Sequence, residues 1–142
     1  MIPLTRLPDW RTRLSEFIDA VRRTPFEWGT FDCGTGLAGP AVAALTGVDV
    51  CLPYRGTYAS PQAAMRVVLA AGHRNLGDLV ASILPELQHP SQATVGDIAA
   101  VETGSALGWS LGVVNGERIF VLRENGLATV ELLTAKRAFK VG

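Results

Sequence analysis

The chain has 142 residues and no formal net charge, with 13 Lys plus Arg against 13 Asp plus Glu; 48% of it is apolar and 18% charged. That length suits one domain with one core, here residues 1–142. The composition excludes a disordered chain, a basic nucleic-acid binder and, with no apolar run near the ~20 residues a bilayer requires, a membrane-spanning helix.

The first predicted element is a helix. Asp9 is a candidate N-cap, because its carboxylate can accept from the open N–H groups of the first turn. Trp10, Leu14, Phe17, Ile18 and Val21 follow at helical spacing, with Arg11, Arg13, Glu16, Asp19, Arg22 and Arg23 between them. Thr24-Pro25 ends the helix, since the residue before proline is pushed out of helical backbone. Pro3, Asp9 and Glu16 interrupt any basic-then-apolar leader at the start of the chain.

An aromatic stretch, Phe26-Glu27-Trp28-Gly29-Thr30-Phe31-Asp32-Cys33, leads to a second helix running to about Thr46. Asp32 is its expected cap, which places Cys33 in the first turn. Pro40 would clash with the carbonyl of Gly36 and removes a donor, so a kink or late start is expected there. Gly47 terminates the helix. Val48 to Pro61 reads as a loop, Ser60-Pro61 opens a third helix to about Ala71, and a fourth spans roughly Leu76 to Leu84. Pro85 to Thr94 is a polar, proline-bounded loop.

The last third changes period. Asp97 to Val101 reads as a strand. Asn115-Gly116 joins Trp109–Val114 to Arg118–Arg123, and Asn125-Gly126 precedes Thr129 to Leu133. Asn-Gly between apolar runs signals a hairpin, and two in tandem give an antiparallel meander. Helices first and a meander last make an α+β domain.

Cys33 has the one site-like setting. Unpaired N–H groups and the dipole at a helix start favour thiolate over thiol, while the adjacent Asp32 opposes it. The plainer reading of Cys33 is a small buried hydrophobe. His73 and His89 read as exposed loop residues. The spacings of Cys33, Cys51, His73 and His89 match no metal site, and no cofactor is expected. Trp10, Trp28 and Trp109 read as packing residues. The helix arginines read as a wet face or a docking face for an acidic partner.

Trp28-Gly29-Thr30-Phe31-Asp32-Cys33 resembles the Trp-Gly-x-x-Asp-Cys start of the nucleophile helix in NlpC-type papain-like cysteine peptidases. Gly96-Asp97-Ile98 resembles that family's Gly-Asp-Leu before its first core strand. Ser110-Leu111-Gly112-Val113-Val114 resembles its His-Val-Gly-Ile-Tyr strand. The resemblance implies a papain-like α+β fold with Cys33 as nucleophile. It places Ser110 where the family has its histidine base, and serine cannot serve as a general base near neutral pH. Ile119 to Leu122, where the family has its third polar residue, is wholly apolar.

A second resemblance spans nearly the full length. Trp10-Arg11, Pro25 to Cys33, Thr46 to Asp49 and Pro53 to Gly56 together are similar to small tail-tip-associated proteins of tailed bacteriophages and prophages, a group that often lacks the same histidine. It implies a tail-tip structural or assembly protein, present in the virion and in host cytoplasm during assembly. Its partners would be other tail-tip or hub proteins. The alternative is an active cysteine endopeptidase that cuts peptidoglycan stem peptides, with a cell-wall peptide as substrate. A third reading keeps a peptide or small-molecule pocket in the old cleft.

Overall fold

A computed structural model describes residues 2–142. Four helices, α1 (Trp10–Val21), α2 (Gly39–Thr46), α3 (Pro61–Ala70) and α4 (Leu76–Ala81), precede five strands, β1 (Ile98–Glu102), β2 (Trp109–Asn115), β3 (Arg118–Arg123), β4 (Gly126–Glu131) and β5 (Arg137–Phe139). Neighbouring strands are antiparallel in the order β4-β3-β2-β1-β5. The α+β class and the meander follow the sequence expectation.

α1 buries Leu14 and Ile18 against α2. Asp9 precedes it but does not cap it. Its carboxylate instead accepts from Arg13 Nε at 2.9 Å, an (i, i+4) partner that outcompetes the backbone for the same oxygens. At the other end the Arg22 carbonyl accepts from the Leu127 N–H at 2.9 Å, so the last turn of α1 is tied to β4. Arg11 and Arg6 both lie 4.3 Å from the centre of the Trp10 ring. The arginine face is thus partly folded onto that indole.

The disturbance expected at Pro40 takes the form of a wide π turn over Cys33–Ala38, running into α2 with Pro40 in its first turn. The Gly39 N–H donates to the Gly34 carbonyl, five residues back. The wider turn moves the ladder one residue out of step, so the missing proline donor falls where α2 begins and helical N–H groups have no partner anyway. Gly39 is required for space, since a Cβ there would lie 2.8 Å from the Gly34 carbonyl oxygen and against the Cys51 sulfur.

Both faces of the sheet are covered. Ile98, Ala100, Leu111, Val113, Leu122 and Phe139 point to the helices, and Phe120 packs at the margin of that core. Ala99, Val114, Ile119, Val121 and Ala138 point the other way, beneath Leu87, Ala93, Leu132 and Ala135. The alternation is the period of two that a strand imposes. It makes Leu122 a core residue and leaves Phe120 half-buried beside it.

Two register expectations are corrected. Asn115 is paired, opposite Arg118, so Gly116 and Glu117 form the first turn. Only Gly116 has positive φ (67°), the pattern of a turn with glycine at its first central position. In the second hairpin Gly126 already pairs with Arg123, which shifts β4 three residues earlier than Thr129. β5 was not expected. A short 3₁₀ turn, Leu132–Thr134, carries the chain back to the far edge, where Phe139 sits opposite Ile98.

The chain ends are clasped across that edge. Arg6 donates to the Val141 carbonyl (2.8 Å), the Val95 carbonyl (2.9 Å) and Asp97 Oδ1 (3.1 Å). Asp97 also accepts from the Val141 N–H at 3.1 Å and the Thr94 N–H at 2.9 Å. A buried carboxylate is tolerated only when held in this way.

Candidate functional site

Asp32 builds the site. It is 2% exposed and its two oxygens accept from four donors: the Gly34, Thr35 and Gly29 N–H groups, each at 2.9 Å, and the Tyr58 hydroxyl at 2.6 Å. Thr35 Oγ1 accepts in return from the Asp32 N–H at 3.1 Å, closing a capping box. Cys33 is thereby fixed at the start of the π turn, as the sequence predicts.

The loop between α2 and α3 straps this turn from outside. Arg55 donates to the Thr35 carbonyl at 2.6 Å and to Asp49 at 3.3 Å. The Cys51 thiol donates to the Gly34 carbonyl at 3.2 Å, and the Gly56 N–H to the Gly29 carbonyl at 2.8 Å. Tyr58, Arg55 and Cys51 were not singled out in the sequence as parts of the site. The signal available was the Pro53-Tyr54-Arg55-Gly56 segment, whose arginine and glycine make three of these bonds.

β2 packs on the π turn and brings Ser110 to Cys33. Ser110 and the backbone of Leu111 lie beside the sulfur. A cavity of about 240 Å³ opens beside the pair, walled by Phe26, Trp28 and Trp109, with Glu102 and Arg123 at its edge. Both residues singled out from the sequence, Cys33 and Ser110, therefore meet in one place.

The electrostatics favour the thiol, in line with the plainer reading of Cys33 as a small buried hydrophobe. Cys33 is 5% exposed, and burial pushes its thiol up to about 11 from an ordinary 9.0. The Asp32 charge pushes the same way. Ser110 and the Leu111 backbone pull it down but are outweighed. At neutral pH the sulfur is a protonated, weakly nucleophilic thiol. Burial likewise pushes Cys51 up to about 12, against the pull of Arg55.

Neither histidine reaches the site. His73 follows α3, its N–H donating to the Val68 carbonyl at 3.2 Å. His89 caps the 3₁₀ turn Pro90–Gln92, its Nδ1 accepting from the Ser91 N–H at 3.1 Å. Neither lines a cavity that Cys33 borders. Among the described residues no three His, Cys, Asp or Glu side chains gather where they could hold a metal ion. β3 offers buried Ile119 and Val121 where a third polar residue would stand.

The raised thiol has a consequence for stability. A group whose pKa is higher in the folded state stabilises the fold fully below its unfolded value and loses that contribution as pH rises through its folded value. Folding stability should therefore fall between pH 9 and about 11, by roughly 2–3 kcal/mol on account of Cys33. Urea unfolding of the wild type and of Cys33→Ala across that range checks this, since the variant should lose less; equal slopes would refute it.

A family described as "Domain of unknown function (DUF6950)" matches residues 5–141, and the chain belongs to that family. No curated protein and no solved structure matches the chain.

Proposed function

We propose that this member of the family is a structural or assembly protein of a bacteriophage tail tip, built on a papain-like, NlpC-type fold that does not catalyse. The observation that carries the non-catalytic reading is the pairing at the site: a buried Cys33 beside Ser110, with neither histidine lining the cavity they share. Thiol catalysis needs a base to take the proton and to return it to the leaving amine, and a serine hydroxyl does neither near pH 7. The retained Asp32 cap and the strapped loop then act as a folding device that holds the helical half together.

The tail-tip assignment rests on the sequence pattern from Trp10 to Gly56. Several of its residues are structural pins here: Asp32 at the cap, and Asp49 and Arg55 in the strap. Its partners are other tail-tip or hub proteins, and its place is the virion, with host cytoplasm during assembly. Among the described residues no helix is long and apolar enough to cross a membrane.

The test is to purify virions of a phage or induced prophage that encodes the chain and to find it by mass spectrometry. Deleting its coding sequence should yield particles with defective tail tips. Absence from both virions and assembly intermediates would refute the assignment. Release of stem-peptide fragments from purified peptidoglycan, lost in Cys33→Ala, would establish the active endopeptidase instead.

A further inference from the structure

A second cavity, of about 90 Å³, lies among α2, α3, α4 and the sheet, with Cys33 and Cys51 in its wall. Val42, Ala64, Val68, Leu79, Ile98 and Leu111 supply much of the rest of its surface, and half-buried Tyr54 and Val67 stand among its lining. We infer that this cavity is a binding site for a compact, uncharged, apolar molecule of about six heavy atoms.

The chemistry of the wall carries the assignment. The wall is almost wholly apolar, and several of the polar groups that border it are already committed. Asp32 is saturated by its four donors, Tyr58 is one of them, and the Cys51 thiol is turned to the Gly34 carbonyl. Among the described residues no buried side-chain N or O atom lacks a hydrogen-bond partner. At about 30 Å³ each the volume would admit about three waters, yet each needs two to four polar partners and the wall has few to give. A ligand carrying its own donors and acceptors would be stripped of water without replacement. An apolar ligand loses nothing polar and removes its surface from water.

The space also has a structural origin. Gly34, Ala38, Gly39 and Ala64 place small residues where two helices and the π turn converge. The site does not depend on whether the protein catalyses or on what it docks against, so its failure would leave the proposed function standing.

Titration of the protein with benzene, followed by methyl NMR, tests the inference. Leu79, Val80 and Ile98 methyl resonances should shift saturably. Pyridazine, a polar molecule of the same shape, should bind at least tenfold more weakly. Ala64→Leu should abolish the saturable shifts, and the milder Val68→Ile should weaken binding several-fold if the larger change does not fold. Absence of saturable shifts with benzene, equal binding of pyridazine, or unchanged binding in a folded filling variant would overturn it.

Discussion

Asp32→Ala is expected to be the most damaging single substitution in the helical half, costing roughly 3–5 kcal/mol. A helix cap alone accounts for about 1–2 kcal/mol, and each buried donor left without a partner costs about 1–3 kcal/mol more, with incomplete additivity. Four donors lose their acceptor at once: three backbone N–H groups and the Tyr58 hydroxyl. Against a total of about 5–15 kcal/mol for a domain, that is a large share. Thermal unfolding followed by circular dichroism should show the loss. Tyr58→Phe, which removes one donor and leaves the cap, should cost only about 1 kcal/mol. A variant of Asp32 within 1 kcal/mol of wild type would show that the cap does not organise the π turn.

Ser110→His should have the largest effect on reactivity. The half-buried position borders the 240 Å³ cavity, so an imidazole has room beside the sulfur. An adjacent imidazolium stabilises the thiolate that burial now disfavours. Alkylation of Cys33 by iodoacetamide at pH 7 should accelerate at least tenfold, read by mass spectrometry at that residue. Ser110→Asn, which adds bulk without a base, should show no acceleration. Peptide hydrolysis should not follow, because buried Ile119 and Val121 on β3 offer no group to orient the ring. A folded Ser110→His with wild-type labelling would mean that Ser110 does not stand at the base position of a papain-like site.

Local chemistry made part of this structure legible in sequence. Asp32 just before Cys33 is a capping signal that needs no tertiary information, and it located Cys33. Pro40 announced a disturbance but not its form, because whether a proline kinks a helix or is absorbed by a π turn depends on what packs beside it. Here Cys51 and the Gly34 carbonyl crowd Gly39. Asp9 failed as a cap for a similar reason, since Arg13 competes for its carboxylate. The hairpins were placed correctly and their turns were not. Asn-Gly marks a reversal, while pairing decides which residues turn, and Asn115 pairs. β5 was beyond reach, since three residues carry no period.

The site divides in the same way. Cys33 and Ser110 were brought together by the resemblance to the peptidase motifs. How strongly burial favours the thiol could not be read that way, because it depends on residues far apart in the chain. Tyr58 and Arg55 were invisible as site residues for the same reason, lying 26 and 20 positions from the atoms they bond.

The clasp at the sheet edge bears on how the core closes. Phe139 and Val141, both 0% exposed, complete the core beside β1, and Arg6 donates to the Val141 carbonyl across 135 positions of sequence. Until β5 pairs with β1, Ile98 and the backbone groups of that strand stand open. A contact of such sequence separation carries a large loop-closure cost, so this edge is expected to close late in folding.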